Sequence, residues 1–307
     1  MNYLHKSVLA EELLEKITFN EDNPLMIDCT LGEGGHSYLF LQKYPSLEII
    51  GIDRDKAIIE RAKKRLEPFE GRFRVINGWF DEVLKQDFGK KPAAILFDLG
   101  ISIFHYELSE RGFSFFSKDK LDMRLDVDGP LSAAHIVNKY REKELADLIY
   151  AYGEERYSRR IAKAIVDYRE KNKPIETSKE LADLIYKSVV PAYRYGKIHP
   201  ATRTFQALRI AVNRELDRIV PALERSVELL QDGGLIAVIS FHSLEDRLVK
   251  HFFRDNGRYV DEQKEPRLQI ITKKPIVPTE KEIDENSPSR SAKLRIARKR
   301  GGDYATV

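Results

Sequence analysis

Three aspartates and one glycine cluster fall where the chain can do chemistry. Asp28 closes the apolar run Leu25-Met26-Ile27, and Gly32-Glu33-Gly34-Gly35-His36-Ser37 follows it; Asp53 closes Ile49-Ile50-Gly51-Ile52; Asp98 closes Ala93-Ala94-Ile95-Leu96-Phe97, just before Gly100. Glycines let the backbone turn sharply and approach a ligand with no Cβ in the way. An acid at the carboxyl end of a second strand can accept both hydroxyls of a ribose, so the pattern points to a nucleoside-bearing cofactor. A dinucleotide pattern begun at Gly32 finds Gly34 but meets Ser37 where its third glycine belongs. Asp28 ahead of the glycines is an awkward neighbour for a pyrophosphate, yet suits the ammonium end of an amino-acid cofactor such as S-adenosylmethionine. Methyl transfer therefore leads, and an NAD-dependent oxidoreductase is the rival.

Transfer of a methyl group from a sulfonium needs little acid or base work once acceptor and methyl are in line, since positioning alone supplies ~7 to 11 kcal/mol. Residues that pin the substrates then matter most. Asp98 is the candidate reaction centre, accepting from an exocyclic amine or holding the cofactor, and Phe80, just after the third strand, is placed to lie against an adenine. The polar, aromatic segment Arg111-Gly112-Phe113-Ser114-Phe115 and Leu121-Asp122-Met123-Arg124 reads as a lid and substrate wall. His242 follows the fifth strand and can face the same crevice, although a lone histidine there is more often structural. Cys29 lies in the cofactor loop, the wrong place for covalent attack on a base.

The elements that must position these groups follow from periodicity. A leading helix carries Val8, Leu9, Leu13, Leu14 and Ile17, and strands at 25–28, 48–53, 73–76 and 93–98 alternate with helices such as Lys56 to Leu66. That rhythm means a parallel, doubly wound α/β sheet with its ligands at the carboxyl ends of the strands. It stops for about a hundred residues, where helices are expected at 132–138, 141–152, 154–171 and 178–189, the last opened by a Thr177/Glu180 capping box. A long helix after His199-Pro200 is expected to bend near Pro221 and end at Gly233-Gly234; Leu235 to Ser240 is a fifth strand, and 268–272 with 293–297 an edge hairpin.

With 307 residues and 42% hydrophobic content the chain has room for two domains. No apolar run approaches the roughly 18 residues of a membrane span and no signal-peptide core opens it, so a cytoplasmic protein is expected. The single cysteine excludes an internal disulfide, no Cys/His spacing suits zinc, and no metal is expected. The net charge of +3 hides a basic region: residues 154–203 hold 12 Lys or Arg against 7 Asp or Glu. Eight of the 14 tyrosines lie between Tyr140 and Tyr195, and basic groups interleaved with flat rings suit single-stranded nucleic acid. The run Arg290, Lys293, Arg295, Arg298, Lys299 and Arg300 is a second candidate for phosphate contact.

These residues together resemble the MraW or RsmH methyltransferases, which modify N4 of a cytidine in 16S ribosomal RNA. The resemblance spans nearly the whole chain. It is carried by His5-Lys6-Ser7-Val8-Leu9, the run Gly32 to Ser37, Asp98-Leu99-Gly100, the run Glu110 to Phe115, Leu121 to Arg124, Tyr152 to Arg156, His199 to Arg209 and Ser240 to Arg247. It implies a Rossmann-like seven-stranded S-adenosylmethionine-dependent methyltransferase sheet with an inserted all-helical substrate domain, divided as 1–104, 105–205 and 206–307. It also implies cofactor contacts at Gly34, Gly35, His36, Asp53, Phe80, Asp98 and His105, although Ile101-Ser102-Ile103-Phe104 departs from the family's usual serines, proline and glutamine before the last of these. On this reading Asp98 is catalytic, Arg111, Arg124 and Arg203 bind phosphates and His242 touches substrate. The partner is small-subunit rRNA, with a homodimer as a candidate assembly. A non-catalytic RNA-binding protein on the same fold is the other alternative.

Overall fold

The computed structural model describes residues 6–258 and 265–301; His5 of the N-terminal run lies outside them. In chain order come α1 (Ala10–Lys16), β1 (Leu25–Asp28), α2 (Gly35–Lys43), β2 (Glu48–Asp53), α3 (Lys56–Leu66), β3 (Phe73–Asn77), α4 (Phe80–Val83) and β4 (Ala94–Asp98). Seven helices follow: α5 (Ile103–Glu107), α6 (Ala133–Lys139), α7 (Glu142–Gly153), α8 (Ser158–Lys171), α9 (Ser178–Ser188), α10 (Pro191–Arg194) and α11 (Thr202–Asn213). The chain closes with α12 (Glu215–Leu229), β5 (Leu235–Ser240), α13 (Ser243–Asn256), β6 (Leu268–Ile270), α14 (Glu280–Glu285) and β7 (Lys293–Lys299). No described helix is long and apolar enough to cross a membrane.

Two compact units divide the chain, residues 1–102 with 216–307 and residues 103–215. The first is built on one sheet of order β3-β2-β1-β4-β5-β7-β6, parallel from β3 to β5 and antiparallel at β7 and β6. Alternate strand residues feed opposite cores. Ile27, Ile95, Phe97, Ile236 and Val238 pack with Leu223 and Val227 of α12 and Val249 and Phe252 of α13. Met26, Ile49, Leu96, Ala237 and Ile296 pack on the other face with Leu13 and Phe40 of α1 and α2. Both faces covered is what a doubly wound sheet demands, and β5 is buried at all six positions. The late basic run belongs to this sheet: Arg295 and Lys293 pair with Asp246 at 2.7 and 3.3 Å, and Lys299 donates to the Leu230 carbonyl. These groups brace β7.

The helical unit has its own core of Ile136, Leu145, Ile149, Ile161, Ile165, Leu181, Ile185 and Leu208. The Thr177/Glu180 capping box opens α9, with the Thr177 hydroxyl accepting from Glu180 N–H. The unit runs through α11 to Glu215, further than the expected boundary at 205. The expected single long helix is instead two: it is broken at Arg214, whose φ of 51° ends α11 in the left-handed region, and Pro221 lies inside α12. Burial of Ile219, Ala222, Leu223 and Val227 against the sheet offsets the cost of a helical proline, about 3 kcal/mol.

Candidate active site

At the carboxyl ends of the parallel strands the glycine turn is tied to the three acids. Gly32 and Gly34 have φ of 52° and 76°, conformations that favour glycine, and Gly34 caps α2. The Asp53 carboxylate accepts from Gly32 N–H and Asp55 N–H, each at 2.9 Å, so β2's acid holds the turn in place. Gly35 is needed for a different reason, because a Cβ there would collide with the Ser7 hydroxyl. Glu33 is buried against Arg61, with 2.5 Å between Oε1 and Nε, which fixes the remaining corner.

Asp28 does not stand open to an ammonium group, as its place ahead of the glycines suggests; it is 1% exposed. Its carboxylate accepts from the Ser37 hydroxyl at 2.7 Å and the Thr30 N–H at 3.3 Å, pinning the first turn of α2 to β1. Burial pushes its pKa up to about 6 against the opposing pull of Ser37, His36 and Thr30. Cys29 beside it is also buried, and its thiol is raised well above the usual range.

Asp98 is held from behind, since its N–H donates to the Thr30 hydroxyl at 2.6 Å. Its Oδ2 lies 3.3 Å from His36 Nε2, without the alignment of a hydrogen bond. Asp98 Oδ1 and both ring nitrogens of His36, which is 6% exposed, are buried with no hydrogen-bond partner among the described residues. Buried polar atoms are nearly always satisfied, so a set of three at a strand tip calls for a polar ligand. That fits a nucleoside cofactor and an amine acceptor. Phe80 opens α4, half-buried, its ring edge-on to Phe97 at 5.5 Å. The neighbouring Trp79 carries the Arg218 guanidinium 4.0 Å from its ring centroid, and Arg218 pairs with Asp81 at 2.7 Å.

His242 takes a structural part. It is the N-cap of α13, its Nδ1 accepting from Glu245 N–H at 3.4 Å, while Glu245 returns to the N–H groups of Phe241 and His242. The cap uses Nδ1 alone; Nε2 is buried 3.1 Å from a Glu245 carboxylate oxygen and has no hydrogen-bond partner among the described residues.

In the helical unit, His105 of α5 is buried between the ring edges of Phe104 and Phe113, each centroid 5.5 Å away. Arg124 is committed within its loop: Nε and Nη2 grip Asp122 at 2.8 and 2.7 Å, and Nη1 donates to the Gly129 carbonyl at 2.7 Å. Burial alone would raise the Asp122 carboxyl, but these bonds hold it below its usual range. Arg124 thus braces its own loop. Arg111 donates to the carbonyls of Arg124 and Leu125 at 2.9 and 3.3 Å, and Arg203 to that of Glu154 at 3.3 Å. Sequence reasoning missed Thr30, Ser37 and Glu33, whose side chains fix the glycine turn. A hydroxyl just past a strand end is the available signal, but a partner 68 residues away leaves no periodicity.

A doubly wound sheet whose tips carry a glycine turn, a braced acid at β2 and an unsatisfied carboxylate at β4 defines a Rossmann-like cofactor-dependent enzyme of the methyltransferase class. The chain belongs to the MraW methylase family, whose model matches residues 2–300. It is 52% identical to the ribosomal RNA small subunit methyltransferase H of Treponema denticola over 97% of this chain and 98% of that protein. The protein of the same name from Sulfurihydrogenibium azorense is 50% identical over 96% and 99%, and that of Borrelia turicatae 47% over 97% and 98%.

Proposed function

We propose that this chain is an S-adenosylmethionine-dependent methyltransferase acting on N4 of a cytidine in small-subunit ribosomal RNA. The observation that carries the reading is the unsatisfied Asp98 Oδ1 at the tip of β4, in the same unit as the glycine turn and Asp53. Relatives at about half identity named for that activity support it. Gly34, Gly35, His36, Asp53, Phe80 and Asp98 are the residues that hold the cofactor. Bound S-adenosylmethionine supplies an electrophilic methyl group on a cationic sulfur. Asp53, fixed by two N–H donors, accepts from ribose hydroxyls. The start of α2 presents backbone N–H groups and the positive end of its dipole to a carboxylate.

Asp98 accepts an N–H of the cytosine amine at Oδ1, orienting the nitrogen lone pair, and takes the proton released as the nitrogen gains its fourth bond. His36 Nε2 lies 3.3 Å from the other oxygen, Oδ2. A base amine inside a stack is out of reach, so the target is single-stranded or extruded, and Arg111 and Arg203 of the helical unit contact its phosphates. The test supplies methyl-labelled cofactor to unmodified small subunits and to protein-free rRNA and maps the label by nucleoside analysis. Label on cytidine N4 is expected; label elsewhere, or none on either RNA, overturns the reading.

A further inference from the structure

The helical unit carries a continuous ridge of rings that the methyl-transfer site does not use. Phe115 and His199 stack at 4.6 Å between centroids and 9° between planes, and Tyr186 also stacks on His199 at 6.2 Å and 22°. Phe116 leans on Phe115 at 4.6 Å, and Tyr195 lies close enough to Tyr186 to raise its phenol pKa. The inner rings are half-buried, whereas the two ends are open: Phe116 is 76% exposed and Tyr195 82%. Large apolar rings exposed to this degree at both ends of one cluster mark a contact surface.

Charge says what kind of partner fits. Residues 184–204, which supply three of the five rings, hold Lys187, Arg194, Lys197 and Arg203 and no Asp or Glu. Arg194 lies over the Tyr186 ring at 5.4 Å, and Lys187 and Lys197 are exposed. Asp183 is the acid that faces His199, and burial holds that imidazole below its usual pKa. Flat rings bordered by cations, with the one facing acid, Asp183, already paired to Lys179 at 3.0 Å, match bases and phosphates of a single strand, whereas a protein partner would bring its own need for apolar and acidic complementarity.

We propose that the ridge from Phe116 to Tyr195 is a stacking platform for unpaired bases of the RNA substrate. It rests on the reading that RNA is the substrate, and the test separates the two. Phe116→Ala/Tyr195→Ala is compared with the unaltered protein and with Phe116→Trp/Tyr195→Phe. Fluorescence anisotropy measures binding of a labelled single-stranded fragment of small-subunit rRNA, the same fragment as a duplex, and whole small subunits, across a salt series. The platform requires the alanine pair to weaken single-strand binding by about tenfold or more, with the salt slope unchanged because stacking releases no counterions. It also requires the aromatic pair to bind like the unaltered protein. Lys187→Ala/Lys197→Ala is to flatten that slope instead, by about 0.7 for each phosphate no longer neutralised. Equal binding by the alanine pair, or equal affinity for duplex and single strand, overturns the platform and leaves the RNA reading intact. Loss confined to whole subunits, with protein-free RNA bound as before, assigns the ridge to a ribosomal protein and overturns it as well. If the unaltered protein binds neither RNA nor subunits, the substrate reading falls and the platform with it. Both alanine positions are exposed, so an unchanged thermal melting curve is expected and excludes unfolding as the cause.

Discussion

Replacing Asp28 by Asn tests the physical state of the acid at the base of the glycine turn. The carboxyl is buried and its pKa stands at about 6, against an ordinary value near 3.9 in the unfolded chain. Because the folded-state value is raised, the ionised group opposes folding: the penalty is fully present above about pH 6, shrinks as pH falls toward 4, and vanishes once both states are protonated. A shift of about 2 units corresponds to about 3 kcal/mol, of which about 2 kcal/mol should develop between about pH 4.5 and 7.5. The stability difference, Asp28→Asn minus unaltered protein, must therefore rise in favour of the variant by about 2 kcal/mol across that range. Loss of one acceptor for Ser37 or Thr30 displaces the whole difference by a constant and leaves its slope untouched. Urea unfolding followed by fluorescence suits the measurement, since Trp79 is the only tryptophan and lies in the same unit as Asp28. A difference that stays flat with pH, or runs the other way, would refute a buried, ionised Asp28. The reward for carrying this penalty at neutral pH is a negative potential beside the site of a cationic sulfur.

Asp53→Ala should weaken S-adenosylmethionine binding about 100-fold, the loss of two hydrogen bonds to a charged acceptor at ~1.5 kcal/mol each; titration calorimetry reads it, and an unchanged affinity would contradict the ribose role. Asp98→Asn should slow methyl transfer by 10²- to 10⁴-fold, the usual range for a positioned proton acceptor, as seen in single-turnover assays; a rate within a few-fold of normal removes Asp98 from the chemistry. Gly112→Ala should cost the helical unit roughly 2 to 4 kcal/mol, because φ is 70° and the new Cβ would strike the Lys120 carbonyl; thermal melting checks it, and an unshifted curve would contradict that geometry. Arg124→Ala should lower thermal stability while leaving the salt slope of RNA binding unchanged, the opposite of what removing a phosphate-binding cation produces.

Much of the sheet unit was legible because its residues repeat with the period of their element. Lys56–Leu66 and Leu235–Ser240 fall on the residues expected from apolar spacing, and Asp28, Asp53 and Asp98 lie at strand ends as the runs before them require. The break between α11 and α12 was not legible, since a left-handed arginine carries no glycine signal and Pro221 offered a more obvious stop. The loop before α6 is pinned by Asn213, which bonds to Met123 and Leu125 about ninety residues earlier in the chain; no local pattern encodes that. The capping role of His242 was harder to see. Its spacing to Glu245 repeats that of Thr177 to Glu180, but histidine is not among the usual capping residues, so chemistry seemed its better use.

A crystal structure of the protein with S-adenosylhomocysteine tests the central claim most directly. The account predicts ribose hydroxyls on the Asp53 carboxylate, the amino-acid end over Gly34 at the start of α2, and Asp98 Oδ1 facing the position of the transferred methyl. Ligand density away from the glycine turn, or Asp98 turned from the sulfur, would contradict it.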